Sequence, residues 1–132
     1  MQNPDRRDQK EMQNIDELET VLYAGNLLLS SGAEIYRAEE TMYRIAESMN
    51  IKDLDAYVTN RGIFASGNVP GKGIETRIMS IPDKELNIDK IEAVNELSRE
   101  VCRNCTDLGY LRTALQKIAD VGEQKVSERI LS

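Results

Sequence analysis

The sequence predicts one α+β domain in which two helices, a three-stranded antiparallel meander and two further helices follow one another, the order ααβββαα. Before residue 50 and after residue 87, apolar residues recur at steps of three and four, which is typical of amphipathic helices. Between these regions, short β-prone runs alternate with turns rich in Asn and Gly. We therefore expect residues 14–132 to fold as one unit behind a disordered polar leader, residues 1–13.

The first two helices are predicted from their start signals and their apolar spacing. Asn14 with Glu17, and Ser31 with Glu34, have the three-residue spacing of a capping box. The first helix should end near Ser30. The predicted buried lines are Leu18, Val21, Leu22, Gly25, Leu28 and Leu29 for the first helix, and Ile35, Ala38, Met42, Ile45 and Met49 for the second.

The central region predicts three short strands. They are Ala56–Thr59, Ile63–Ser66 and Glu75–Ile81, and Pro82 closes the last one. The stretch Gly67–Gly73 has too many glycines for regular structure and is predicted to be a loop. Three strands with one apolar face need a cover, which we expect the helices to provide.

Two helices are predicted after the meander. The first should begin near Asn87 and bury one line of residues, and Thr106 is a suitable N-cap for the second. The sequence leaves open whether the last helix continues past Gly122. The predicted buried lines are Ile88, Ile91, Val94, Leu97 and Val101, then Leu108, Leu111, Leu115 and Ile118.

Composition excludes several classes of function. The chain has no His, so it lacks Ser-His-Asp and Cys-His nucleophile systems and the common His-bearing zinc sites. Its 17 basic and 23 acidic residues give a net charge of −6, which argues against nucleic acid as a partner. No apolar run reaches the length of about 20 residues that crosses a bilayer.

Three short patterns resemble chemical motifs but are better explained structurally. Cys102 and Cys105 form a CxxC at the end of a predicted helix, where the dipole does not favour a thiolate. The stretch Gly67–Gly73 lacks the Ser or Thr and the following helix of a phosphate-binding loop. The acidic pairs Glu39–Glu40 and Asp53/Asp55 are expected in a chain this rich in acids. The sequence therefore predicts no metal, no cofactor and no catalytic residues.

The segment Ser31–Gly32–Ala33 is the strongest candidate for binding a small molecule. A capping Ser followed by small residues would leave backbone N–H groups free at a helix start, where they favour an anion or a carboxylate. Arg37, one turn later, would add a bidentate guanidinium. The alternative is a tight turn between two helices, with Arg37 paired to a helix acid.

The stretch from Leu27 to Ile51 resembles the N-terminal domain of the threonine/serine exporter family. The residues that match this first part of the family pattern are Ser31, Gly32, Ala33, Arg37 and Glu39. Later matches are Gly62–Ile63–Phe64, Thr76–Arg77–Ile78, the run Val94–Arg99 and the helix Leu108–Ile118. The resemblance covers roughly residues 15 to 120, and the order and spacing of its parts are more specific than any one of them.

The resemblance implies a cytoplasmic domain of a larger membrane protein. In that family the soluble part is followed by membrane helices that export threonine and serine or, in related members, dicarboxylates. We therefore expect a regulatory, assembly or solute-sensing role at the cytoplasmic face of the cell membrane. The expected partner is a membrane permease domain of the same or a companion protein, and a carboxylate-bearing solute is expected at Ser31, Gly32, Ala33, Arg37, Glu39 and Arg77.

Two other classes of function remain open from the sequence. One is a homo-oligomeric interaction module, because an open three-stranded sheet leaves strand edges unpaired. The other is a small hydrolase that uses Ser or carboxylate chemistry without His, although no Ser-x-x-Lys spacing occurs near Ser30 or Ser31. We expect a chain that is not an enzyme.

Overall fold

The computed structural model describes residues 16–104 and 107–131 and confirms the α+β class and the ααβββαα order. The predicted leader, residues 1–13, lies outside these ranges. The elements are α1 (Glu17–Ser30), α2 (Ile35–Ser48), β1 (Lys52–Val58), β2 (Gly62–Val69), β3 (Gly73–Ser80), α3 (Ile88–Asn104) and α4 (Leu108–Leu131). The last helix therefore continues past Gly122.

The three strands form an antiparallel meander in the order β1-β2-β3. In β2, the side chains of alternate residues are buried, so the sheet has one inner face and one outer face. Directly opposed residues lie on the same face, which places Ala65 and Arg77 together inside and Phe64 and Ile78 together outside. Helix α1 packs across β2 and β3, and α2 packs beside β1.

The core lies between the inner face of the sheet and the four helices. All six residues predicted to be buried on α1 are buried. On α2, Ala38, Met42 and Ile45 are buried, and the residues at either end of the predicted set are half-buried. Gly25 is required for this packing, because a Cβ there would lie 2.6 Å from the Met42 sulfur. On α3 the prediction is wrong at Ile88, which is 59% exposed because it precedes the turn at which the helix reaches the core.

The first two helices end in the same way, with a Schellman motif. In α1 the N–H of Gly32 donates to the Leu29 carbonyl and the N–H of Ala33 to the Leu28 carbonyl, and Gly32 has φ +95°. In α2 the corresponding residue is Asn50, with φ 59°. Each motif satisfies carbonyl groups that a helix end would otherwise leave unpaired.

Both predicted capping boxes at the helix starts are wrong. Helix α1 begins after Asp16, whose carboxylate accepts the Glu19 N–H at 2.8 Å, so the cap lies two residues after the predicted Asn14. Ser31 belongs to the end of α1, and α2 begins after Glu34 without a side-chain cap. The spacing of polar residues did not distinguish the end of one helix from the start of the next.

The glycine-rich stretch is mostly strand. Gly67 lies on the inner face of β2, where a Cβ would approach the Ile51 side chain to 2.7 Å, so close packing and not chain reversal requires glycine there. The turn between β2 and β3 is only residues 70–72. The strand β1 begins four residues earlier than predicted, at Lys52, and an irregular register beside Asp53 (φ 55°) accommodates the extension.

The starts of the last two helices are defined by side-chain caps. The Asn87 side chain accepts the Lys90 N–H at 3.1 Å, as predicted for the start of α3. At α4 the cap is Asp107, which accepts the Tyr110 N–H at 2.7 Å, in place of the predicted Thr106. Thr106 itself lies outside the described residues.

Candidate functional site

The backbone N–H groups of Ser31, Gly32 and Ala33 are all used inside the protein. They donate to the carbonyl groups of Leu27, Leu28 and Leu29. The expectation that these N–H groups are free at a helix start is therefore wrong, and this segment has no anion-binding nest of the kind predicted.

The carbonyl groups at the same corner hold the connection between β3 and α3, residues 81–87. Glu85 N–H donates to the Ser30 carbonyl and Asn87 N–H to the Ser31 carbonyl, both at 2.9 Å. Gly32 also makes room here, since a Cβ on it would lie 2.9 Å from the Leu86 side chain. The Ser-Gly-Ala segment thus fixes the connection against the end of α1.

A cavity of about 420 Å³ lies between this connection, the last turns of α1, the start of α3 and one residue of α4. Its volume falls in the range of small-molecule sites. The lining is Asn26, Leu27, Ser30, Ser31, Pro82, Asp83, Glu85, Asn87, Lys90 and Ala119. Of the predicted binding residues, only Ser31 contributes to it, and its side chain is 3% exposed.

The cavity brings groups of both charges together with neutral polar groups. Lys90 is half-buried in its wall and forms no ion pair within the described part of the chain. Asp83 and Glu85 lie on the exposed side, and neither pairs with a described cation. The Asn26 amide donates to the Ser80 carbonyl at 3.0 Å, which leaves its oxygen as an acceptor. Such a lining suits a small molecule that carries both an anionic and a cationic group.

The structure places Arg37 and Glu39 in the first turns of α2, and neither lines the cavity. Arg37 is exposed, and a hydrogen bond with Tyr36 raises the pKa of its guanidinium above the ordinary value. Glu39 is half-buried. These two residues are therefore separate from the groups that surround Lys90.

Arg77 projects from the inner face of β3 into a cluster of carboxylates. Its guanidinium lies 2.6 Å from Asp16, 3.2 Å from Glu19 and 2.8 Å from Glu75. The hydrogen bond to Glu75 is the main cause that raises the pKa of Arg77. Asp16 and Glu19 lie at the start of α1, so their contacts with Arg77 join β3 to that helix.

Polar residues of α3 join it to α2. The Thr41 residue is 2% exposed, and its hydroxyl donates to Asn95 at 3.2 Å. Arg44 donates to Ser98 at the same distance.

The Cys102 thiol lies one turn further along α3 and donates to the Arg44 carbonyl. Desolvation raises the pKa of this thiol. A thiol with a raised pKa is a poor nucleophile at neutral pH, which fits a structural role. Cys105 lies outside the described residues.

Across residues 16–104 and 107–131, no group of three or more Cys, Asp or Glu side chains is arranged to hold a metal ion. Within the same ranges, no helix combines the length and the apolar character that membrane crossing requires.

The sequence reasoning missed most of the cavity. Asn26, Asp83, Asn87 and Lys90 come from three separate segments, and no spacing motif connects them. The one available signal was the polar run after Pro82, which connects a strand to a helix and contains groups of both charges. Sequence alone could not show that this run folds back on the end of α1.

The comparisons with known proteins agree with the sequence resemblance. A family model described as "Putative threonine/serine exporter" matches residues 19–126. No curated protein matches the chain, and no solved structure does. The match spans well over half of the chain and covers all or most of each described helix and strand. The chain therefore belongs to the threonine/serine exporter family.

Proposed function

We propose that this chain is the cytoplasmic solute-sensing part of a threonine/serine export system, and that the cavity beside Lys90 binds the exported solute. The family match supports the link to export. The observation that carries the sensing role is the cavity, because it places two carboxylates, neutral polar groups and a lysine that pairs with no described acid around one small volume.

The cavity offers one partner for each group of a hydroxy amino acid. Lys90 would bind the α-carboxylate, and Asp83 or Glu85 the α-ammonium group. The oxygen of Asn26 and the hydroxyl of Ser30 would contact the side-chain hydroxyl. A dicarboxylate would satisfy Lys90 but would face Asp83 and Glu85 without a cation, so we expect threonine and serine to bind more tightly than succinate.

The sensing signal would pass to a permease domain of the same or a companion protein. The cavity is built from the end of α1, the start of α3 and Ala119 of α4. A solute that contacts all three would change how firmly α4 is held against the rest of the domain. In this proposal α4 is the element that reports occupancy to the membrane partner.

Isothermal titration calorimetry of the whole chain with threonine, serine and succinate tests the proposal. We expect saturable binding of threonine and serine in the millimolar range, about −4 kcal/mol, and a loss of at least tenfold in affinity in Lys90→Met. Lys84→Met is the matched control, since Lys84 lies in the same connection but donates to Asn60 outside the cavity. The absence of heat for all three solutes, or equal loss in both variants, would contradict the proposal.

A further inference from the structure

The outer face of the sheet has no charged side chain on β2 or β3. The register places eight residues on this face: Gly62, Phe64, Ser66 and Asn68 of β2, and Ile74, Thr76, Ile78 and Ser80 of β3. Charged residues make up 30% of the chain, so two neighbouring strands without one on a solvent-facing side are unusual for this sequence. The edge strand β1 adds Tyr57 and two residues of opposite charge, Lys52 and Asp55, to the same face.

The centre of this face is an apolar row that crosses all three strands. Tyr57 lies opposite Phe64, and Phe64 lies opposite Ile78. The two rings are 6.0 Å apart, and Thr76 bonds to Ser66 beside them at 3.4 Å. The large side chains are uncovered: Tyr57 is 66% exposed, Phe64 39%, Ile74 80% and Ile78 75%. No described helix packs on this side, because α1 and α2 lie against the inner face.

We propose that the outer face of the sheet is the contact surface of a homodimer, in which two copies of this chain pack sheet against sheet about a twofold axis. Two identical chains that each carry a charge of −6 repel one another, so a contact between copies requires a surface without like charges. The β2–β3 part of this face meets that requirement. An acidic or basic partner would find no complementary charge there.

The size of the face fits a weak dimer. A large apolar side chain has a surface of roughly 150–250 Å². The exposed fractions of Tyr57, Phe64, Ile74 and Ile78 therefore correspond to about 500 Å² of accessible surface per copy. Pairing the face with itself removes about 1,000 Å², and the polar neighbours bring the total to about 1,200 Å², the lower bound for a specific stable interface. We therefore expect a dimer with a dissociation constant in the micromolar range.

Pairing through the edge of β1 is a poorer alternative. The Ala56 N–H, which lies on that edge, already donates to the Tyr43 hydroxyl of α2 at 3.2 Å. A strand edge blocked by a helix side chain is a poor template for strand addition. The proposed dimer therefore depends on the side chains of the outer face, and substitution of these side chains tests it.

Sedimentation velocity of the whole chain across about 5–500 µM tests this surface. We expect a shift from the 14.9 kDa chain to twice that mass as concentration rises. The double variant Ile74→Thr/Ile78→Thr should raise the dissociation constant at least a hundredfold, because four exposed isoleucines leave the symmetric contact. Thr keeps the strand preference of Ile, and both positions are exposed, so folding should be unchanged. Far-UV circular dichroism checks this.

Leu86→Thr/Ile88→Thr is the matched control, since Leu86 and Ile88 are exposed apolar residues away from the sheet. This control should dimerise like the parent chain. A parent chain that stays monomeric throughout the range would overturn the proposal. So would a dimer that both double variants preserve, because that result would indicate pairing through the open edge of β3. The dimer is independent of solute binding, so failure of either proposal leaves the other standing.

Discussion

Replacing Arg77 by methionine should destabilise the domain by about 2 kcal/mol. The guanidinium contacts Asp16, Glu19 and Glu75 at 2.6–3.2 Å. Exposed ion pairs contribute about 0.2–1 kcal/mol each. The Asp16 side chain is only 12% exposed, so its pair belongs near the top of that range, whereas the 39% exposed Glu19 contributes less. Methionine keeps most of the apolar stem, so the loss reports the charge contacts.

Urea unfolding followed by circular dichroism measures this loss, and thermal unfolding should show a decrease in Tm of about 6–10 °C. The hydrogen bond to Glu75 raises the pKa of Arg77, so the guanidinium is charged at every pH used in such work.

The matched control is Arg99→Met. Arg99 is 63% exposed and lies 3.9 Å from Glu96 within the same helix, so its loss should cost no more than about 0.5 kcal/mol. If Arg77→Met were no more destabilising than Arg99→Met, the view that Arg77 fastens β3 to α1 would be refuted. A variant that kept full stability but lost solute binding would instead support the ligand role expected from sequence.

Three further substitutions test the packing around the site. Gly25→Ala should cost about 1–3 kcal/mol in urea unfolding because its Cβ meets the Met42 sulfur, and adding Met42→Ala should recover part of the Gly25 cost in a double-mutant cycle. Gly32→Ala should cost at least about 1 kcal/mol, because its φ is positive and a Cβ there would meet the Leu86 side chain. Asn95→Ala should cost about 1–3 kcal/mol because it leaves the buried Thr41 hydroxyl without its acceptor; an unchanged midpoint would contradict that role.

The sequence predicted the architecture well because the helical spacing and the strand alternation both follow burial. The lines through Leu18 and Ala38 were confirmed for this reason. Helix ends were predicted poorly, because Ser31 followed by Glu34 has the spacing of a start signal whereas the backbone uses Gly32 to end α1. Gly67 was misjudged because a glycine needed for close packing in a strand looks the same in sequence as one needed for a turn.

The cavity could not be predicted from the sequence, for a different physical reason. Ser31 lines the cavity, and its carbonyl group receives the β3–α3 connection, whereas the sequence suggested free N–H groups at a helix start. Arg77 lies in a segment that resembles the family pattern, and it pairs with three carboxylates of the same chain. Lys90 carries no motif, and its proposed role rests on the cavity that tertiary packing creates around it.

The most direct test of solute sensing is an NMR titration of the ¹⁵N-labelled whole chain with threonine. We predict saturable chemical-shift changes at the backbone amides of Asn26, Ser31, Asn87 and Lys90, with no comparable change at Arg37 or Arg77. The Lys90→Met variant should lose these changes and Lys84→Met should keep them. Shifts confined to other parts of the domain, or none up to about 20 mM threonine, would contradict the account.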